Sequence, residues 1–118
     1  MRILIADDDA LWVKILSKYF SLKKHEVCSA DTFAGALALA AEKLPDCILV
    51  DGELPDGGVG MFCAAVRAAA GLEKTALVCV SGTEISADMS GADAVVLKGG
   101  GLDKLEATMA AALKARLG

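Results

Sequence analysis

The chain has no apolar run of the roughly 18 residues that a membrane-spanning helix needs. Its amino terminus carries one charge at Arg2, followed by a strand-length apolar run that stops at three aspartates, which is not the pattern of a secretion signal. These absences argue against a membrane protein and lead us to expect a cytoplasmic one.

Clustered positive charge is also missing. The 12 Lys and Arg residues are outnumbered by 16 Asp and Glu residues, and the only adjacent basic pair is Lys23 and Lys24. Because nucleic-acid backbones attract clustered Lys and Arg, we expect no nucleic-acid binding by this chain alone.

Cysteine metal motifs, internal repeats and low-complexity linkers are absent as well. The 4 cysteines contain no CxxC pair, and most of them lie in strand-like apolar runs, so we expect buried, reduced thiols. With 118 residues, of which 55% are hydrophobic, the chain has the size and composition of a single domain, 1–118, whose sheet is covered on both faces.

Apolar runs of strand length alternate with helical patterns, which predicts a doubly wound α/β fold with a five-stranded parallel sheet. The strands are predicted at about 2–6, 26–30, 47–50, 76–80 and 94–97. The helices are predicted around 11–20, from a cap at Asp31 or Thr32 to Leu44, at 59–70 and at 102–117, where Asp103 and Glu106 have capping-box spacing. Only residues 82–93 remain for a fourth helix between the last two strands, so we expect that helix to be short or absent.

Polar residues directly follow most of the predicted strands. Asp7, Asp8 and Asp9 follow the first strand, Asp51 the third, Ser81 the fourth and Lys98 the fifth. Because the carboxyl ends of parallel strands meet at one edge, where open α/β sheets bind ligands, these side chains should share one crevice.

These residue types suit phosphoryl transfer. The carboxylates of Asp7, Asp8 and Asp51 are costly together unless a cation neutralises them, and oxygen ligands with room for water favour Mg²⁺, or Mn²⁺ in its place. A carboxylate such as that of Asp51 can attack phosphorus to form an acyl phosphate. Lys98 and Ser81 would supply an ammonium and a hydroxyl group for the phosphoryl oxygens.

Each residue also has an ordinary structural explanation. The aspartates at 7–9 could cap the first helix, Asp51 could start a turn, Ser81 could be a turn residue and Lys98 could be solvated. Those explanations would have to hold independently at each of these strand ends, so a shared site explains the pattern better.

At these residues the whole chain resembles the receiver domain of two-component response regulators. The matching stretches are 3–9, 45–51 with Leu54 and Pro55, and 91–93 ahead of Leu97 and Lys98. The resemblance implies a flavodoxin-like sheet in the order 2-1-3-4-5, with Asp51 as the phospho-acceptor, Ser81 as the switch hydroxyl and Lys98 as the phosphate-binding lysine. It also implies that Asp7, Asp8, Asp51 and the backbone carbonyl of Glu53 hold Mg²⁺.

The same resemblance implies the partners. A histidine kinase or a phosphotransfer protein would donate the phosphoryl group, and a downstream protein target would bind the altered surface. The chain would catalyse only its own phosphorylation and dephosphorylation at Asp51, and a phosphorylation-dependent homodimer is compatible with the resemblance. Two arrangements stay open, a stand-alone receiver and the receiver of a longer regulator.

The sequence departs from the family pattern in several places. Gly99 replaces the usual proline after the lysine, Val95 replaces the aromatic switch residue, and Val59 stands where a glycine is expected. The segment from Ser81 to Lys98 is also shorter than usual by more than one helical turn. All of these except the displaced glycine bear on signal output, and none removes a group that phosphorylation needs.

Two other classes of function are compatible with parts of the sequence. A phosphatase of the haloacid-dehalogenase type also uses an aspartate nucleophile, Mg²⁺, a hydroxyl and a lysine. Its nucleophile follows the first strand in a DxDxT-type pattern, which residues 7–11 match poorly, and the chain has no cap insertion. An interaction module that keeps the fold without being phosphorylated is the other class, which the complete acidic set and Lys98 argue against.

Overall fold

A five-stranded parallel sheet forms the centre of the computed structural model, which describes residues 1–82 and 90–118. Its strands are β1 (Arg2–Ala6), β2 (Glu26–Ala30), β3 (Cys47–Asp51), β4 (Ala76–Ser81) and β5 (Ala94–Leu97). They lie in the order β2-β1-β3-β4-β5, and every neighbouring pair is parallel. The predicted doubly wound fold and the flavodoxin-like order 2-1-3-4-5 are therefore confirmed.

Helices cover both faces of this sheet. One face packs against α1 (Ala10–Leu22) and the C-terminal helix (Leu102–Leu117), and the other against α2 (Phe33–Lys43) and α3 (Val59–Ala68). Side chains of a strand point alternately to the two faces, so Leu4 of β1 packs with Phe33 while Ile5 packs with Leu16. Burial on both faces is the reason why the strands read as continuous apolar runs in the sequence.

The helix ends follow local capping chemistry. Asp9 caps α1, with its Oδ1 accepting a hydrogen bond from the N–H of Trp12 at 3.1 Å. Of the two predicted caps of α2, Thr32 is the one used, and its Oγ1 accepts from the N–H of Gly35 at 3.0 Å. The left-handed Leu44, with φ 48°, ends α2 ahead of a proline that could not continue the helix.

The capping box predicted for the C-terminal helix is wrong. Gly101 is its N-cap rather than Asp103, and no described side chain caps it. The carboxylate of Glu106 instead accepts hydrogen bonds from Lys23 Nζ at 2.7 Å and from Tyr19 Oη at 3.0 Å. A charge-assisted bond to a cation is stronger than one to a neutral amide, so Glu106 fastens this helix to α1.

The cysteines are all free. Cys47, Cys63 and Cys79 are buried and Cys28 is half-buried. Burial raises the pKa of Cys47 and Cys63 to about 12 and that of Cys79 to about 11. These buried thiols therefore stay protonated at neutral pH and act as small apolar side chains.

Two further expectations concern the chain as a whole. Within 1–82 and 90–118, every helix is too short or too polar to serve as a bilayer span. The expected shortening of the fourth helix concerns residues of which 83–89 lie outside the described part, so it stays a prediction.

Asp93, just before β5, ties three elements together at the end of the sheet opposite the predicted crevice. Its Oδ2 accepts from Arg67 Nη2 and from the N–H of Leu77, both at 2.8 Å. Its Oδ1 accepts from Arg116 Nη2 at 2.7 Å and Nε at 3.0 Å. Burial raises the pKa of Asp93, but the bonds from Arg116 and Leu77 and the charge of Arg67 bring it below its ordinary value.

The Asp93→Ala variant should lower the free energy of unfolding by about 2–3 kcal/mol, because it leaves a partly buried arginine without its counter-charge. Urea unfolding measures the change. Glu26→Ala is the control, since its ion pair with Arg2 is exposed, and it should change stability by less than about 1 kcal/mol. Similar small changes in both variants would contradict a clamping role for Asp93.

The contribution of Asp93 should also depend on pH. A carboxylate whose pKa is lower in the folded chain stabilises it fully above the ordinary aspartate pKa and loses that effect as the pH falls through the lowered value. The gap in stability between wild type and Asp93→Ala should therefore be complete at neutral pH and shrink in acid.

Candidate functional site

The carboxyl ends of four strands bring the predicted site residues to one edge of the sheet. Asp7 directly follows β1, and Asp51 is the last residue of β3. These two strands are neighbours whose register pairs Ala6 with Val50, so Asp7 and Asp51 come at the same level. Ser81 lies one residue beyond the partner of Asp51 and opposite Leu97, which directly precedes Lys98. The parallel register therefore brings the backbone of all these residues to the same edge of the sheet.

Measured distances show a compact charged cluster. Carboxylate oxygens of Asp7, Asp8 and Asp51 all lie within 4.8 Å of one another. Lys98 Nζ is 2.9 Å from Asp7 Oδ2 and 3.7 Å from Asp51 Oδ2. The side chain of Asp7 is 3% exposed and that of Asp51 is 15% exposed, whereas Asp8 is open to solvent. The cluster is therefore buried on the side of Asp7 and Asp51 and open to solvent on the side of Asp8.

The aspartates at 7–9 have different structural roles. Asp7 Oδ1 accepts from the N–H of Asp9 at 2.9 Å, which fixes its carboxylate and leaves Oδ2 for Lys98. Asp9 caps α1 and does not join the cluster of Asp7, Asp8 and Asp51. The ordinary capping explanation therefore holds for Asp9, and the site explanation is compatible with the other two.

The charges in the cluster shift each other's titration. Burial raises the pKa of Asp51 and the negative Asp7 raises it further, while Lys98 and the N–H groups of Gly52 and Glu53 only partly offset this. Burial lowers the pKa of Lys98, but the hydrogen bond and charge of Asp7, with the charge of Asp51, outweigh it and raise the pKa overall. Lys98 is therefore a permanent cation at neutral pH, and the crowded carboxylates favour a further one.

The Asp51→Asn variant should be more stable than the metal-free wild type at neutral pH, by on the order of 1 kcal/mol. Folding raises the pKa of Asp51, so its stabilising contribution is present in acid and is lost as the pH rises through the raised value. The uncharged amide avoids that loss, so the advantage of the variant should disappear as the pH is lowered. Thermal unfolding in EDTA tests this, and a difference that is the same at neutral and acidic pH would contradict it.

Ser81 and Glu53 are placed at the same edge by the backbone. Ser81 is buried at the end of β4, at 3% exposure. Glu53 lies two residues after Asp51 in a short antiparallel ribbon, Glu53–Leu54 with Gly57–Gly58. The N–H of Glu53 helps to offset the rise in the pKa of Asp51, an influence that the sequence did not indicate. Its carbonyl as a metal ligand stays a prediction.

Two residues near the crevice were missed by the sequence interpretation. The ring centroid of Trp12 lies 6.0 Å from Lys98 Nζ, although the sequence placed this residue only on a helix face. Asp56, predicted only as part of a loop, accepts hydrogen bonds from the start of α2. Both contacts join parts of the chain that are distant in sequence, so spacing carried no signal for them.

The cluster fits a divalent cation with a preference for oxygen ligands. Among the described residues, Asp7, Asp8 and Asp51 are the one acidic group whose oxygens lie close enough together to share an ion. The side chain of Asp8 is exposed, so water can reach the cluster from that side. Mg²⁺ commonly binds to a few carboxylates and several waters, so the acidic cluster is compatible with it.

Comparisons of the sequence with known proteins identify its relatives. The family model of the response regulator receiver domain matches residues 3–110. The transcriptional regulatory protein KdpE of Mycobacterium tuberculosis is 32% identical over 120 residues, which cover 95% of this chain and 50% of KdpE. The chain thus spans about half the length of the curated relatives it matches.

Solved structures share the fold. Chemotaxis protein CheY4 of Vibrio cholerae has a TM-score of 0.85 at 24% identity, with 95% of this chain and 98% of that chain covered. The receiver domain of a sensor histidine kinase of Pseudomonas aeruginosa, with a magnesium ion in its active-site cleft, has a TM-score of 0.85 at 15% identity, with 96% and 97% covered. With the family model matching most of its length, this chain belongs to the response regulator receiver domain family.

Proposed function

We propose that the chain accepts a phosphoryl group on Asp51 from a histidine kinase or a phosphotransfer protein. A carboxylate oxygen of Asp51 forms the new O–P bond, the N–P bond of the donor phosphohistidine breaks, and its electron pair stays with the imidazole. The observation that carries this proposal is the position of Lys98 Nζ, 2.9 Å from Asp7 and 3.7 Å from Asp51.

The other residues have supporting roles in this proposal. Lys98 pairs with the phosphoryl oxygens after attack, and the hydroxyl of Ser81 donates a hydrogen bond to them. Asp7, Asp8, Asp51 and the carbonyl of Glu53 would hold Mg²⁺, or Mn²⁺ in its place. The bound ion would supply positive charge to offset the negative charge that develops on the phosphoryl group.

The proposal extends to what the phosphorylated chain does. Residues 1–118 act as a single receiver domain in the cytoplasm, and phosphorylation changes binding to a downstream protein, with a phosphorylation-dependent homodimer as one form of that change. The chain catalyses its own phosphorylation and dephosphorylation and no further reaction. Val95 in place of the aromatic switch residue means that the readout cannot be the flip of an aromatic ring at that position.

Intact-mass measurement after incubation with acetyl phosphate or phosphoramidate tests the proposal. We expect one phosphoryl adduct that forms with Mg²⁺, does not form with EDTA, and maps to the peptide containing Asp51. Label on Asp7, or repeated turnover of phosphomonoesters, would point instead to a haloacid-dehalogenase-type phosphatase. The absence of an adduct with every donor would overturn the proposal and leave an interaction module.

A further inference from the structure

We propose that Asp56 is a positioning residue that holds the 52–58 loop against α2 and thereby presets the backbone around Asp51. Asp56 does not belong to the acidic cluster, which contains Asp7, Asp8 and Asp51. Its proposed effect on the metal site rests on the function proposed above, whereas its effect on the loop backbone does not.

The carboxylate of Asp56 caps a helix that belongs to another part of the chain. Its Oδ1 accepts from the N–H of Phe33 at 2.8 Å, and its Oδ2 accepts from the N–H of Ala34 at 3.0 Å. The local cap, Thr32, binds only the next amide, that of Gly35. The first two N–H groups of a helix have no partner inside the helix, so Asp56 fills places that Thr32 leaves open.

The start of α2 is a firm support for this contact. The ring of Phe33 is buried and stacks on Phe62 of α3, with centroids 5.4 Å apart. Leu54 of the loop is buried in the same apolar cluster as Phe33 and Phe62, and Gly57 has a φ of 148°, a conformation that other residues rarely adopt. The loop is therefore joined to α2 through the hydrogen bonds of Asp56 and through the apolar cluster that contains Leu54 and Phe33.

The same loop begins at the reacting carboxylate. The N–H groups of Gly52 and Glu53 act on the carboxylate of Asp51 and offset part of the rise in its pKa, and the N–H of Val59 donates to the carbonyl of Gly52 at 3.3 Å. The ribbon that closes the loop pairs only Glu53 with Gly58 and Leu54 with Gly57. Such a small ribbon is weak by itself, so the tether at Asp56 restrains the amides and the Glu53 carbonyl next to Asp51.

Hydrogen exchange of the metal-free chain tests the positioning role directly. We expect the amides of Gly52 and Glu53 to exchange about 10-fold faster in Asp56→Ala than in wild type, because their loop loses two charge-assisted bonds. Thr32→Ala is the matched control, since it also weakens the start of α2 but leaves the tether in place. Asp56→Asn keeps one acceptor oxygen and should fall between Asp56→Ala and wild type. Equal exchange at these amides in Asp56→Ala and Thr32→Ala would overturn the inference.

A titration with MgCl₂ provides a second readout, followed by the fluorescence of Trp12, the single tryptophan, which lies near Lys98. We expect the Kd for Mg²⁺ to rise about 10-fold in Asp56→Ala and to stay near the wild-type value in Thr32→Ala. Wild-type affinity in Asp56→Ala would overturn the link to the metal site while leaving the proposed function intact. A wild-type chain that binds no Mg²⁺ would instead count against the proposed function, and hydrogen exchange would still decide the role of Asp56.

Discussion

No phosphoryl group is expected to attach to the Asp51→Asn variant, whereas the wild-type chain becomes phosphorylated by acetyl phosphate in the presence of Mg²⁺. An amide oxygen is a far weaker nucleophile than a carboxylate, so the initial rate should fall by at least about 10³-fold. The amide has nearly the same volume and keeps an oxygen that can face the N–H groups of Gly52 and Glu53, so the fold around it should persist. Intact-mass measurement over time gives the rate.

The matched control for this variant is Asp31→Asn. Asp31 is an exposed carboxylate that lines the same open cavity as Asp7 and Asp8, and its substitution changes the net charge equally. It should be phosphorylated at nearly the wild-type rate. An adduct on Asp51→Asn at the wild-type level would mean that another residue accepts the phosphoryl group. A loss in both variants would mean that general charge near the crevice, rather than one nucleophile, controls the reaction.

Lys98→Ala should slow phosphorylation by about 100-fold, because it removes the cation that meets the charge developing on the phosphoryl oxygens. The same variant should bind Mg²⁺ more tightly than wild type. Lys98 pairs with Asp7 and approaches Asp51, so in the absence of metal the lysine and the ion compete for the same carboxylates. A slower phosphorylation rate together with tighter Mg²⁺ binding would show that Lys98 acts in phosphoryl transfer and is not needed to assemble the metal site.

Lys74→Ala controls for the loss of one positive charge. Lys74 is exposed just before β4, at the end of the sheet opposite the crevice. Both the phosphorylation rate and the Mg²⁺ affinity of this variant should remain near wild type. A Lys98→Ala variant that loses metal affinity together with activity would contradict competition and would indicate that the lysine supports the site structurally.

Most element boundaries follow from the sequence because they depend on neighbouring residues. The strands found at Arg2–Ala6, Glu26–Ala30 and Ala94–Leu97 have the predicted bounds, and Cys47–Asp51 and Ala76–Ser81 are each one residue longer than predicted. The predicted end of α2 is also confirmed, where Leu44 terminates the helix. Apolar runs, caps and helix-ending residues act over a few neighbouring positions, so the local sequence is enough to place the ends of these elements.

The site was predictable for a related reason. Once the sheet is parallel, the residue after each strand must emerge at one edge, so Asp7, Asp51 and Lys98 could be grouped without coordinates. The strand pattern could not assign roles within 7–9. The structure assigns helix capping to Asp9 and the buried contact with Lys98 to Asp7.

Apart from small shifts in element ends, the wrong or missing predictions concern side chains that bind residues distant in the sequence. Glu106 was expected to cap its own helix, yet it binds Lys23 and Tyr19 across the fold. Asp93 binds arginines of two helices, and Asp56 caps a helix that begins 23 residues earlier. A carboxylate has several compatible donors in a sequence, and spacing does not say which of them the fold brings within 3 Å.

By itself, the sequence determined the class of fold, the edge of the sheet that carries the chemistry, and the set of carboxylates, hydroxyl and lysine at that edge. Each of these depends on local apolar patterning and on the residue that follows a strand. Only the tertiary structure decided which carboxylate is buried against Lys98. It also decided that the carboxylates of Asp56, Asp93 and Glu106 bind helices distant in the sequence. Those choices depend on distances between elements, which folding sets and residue order does not display.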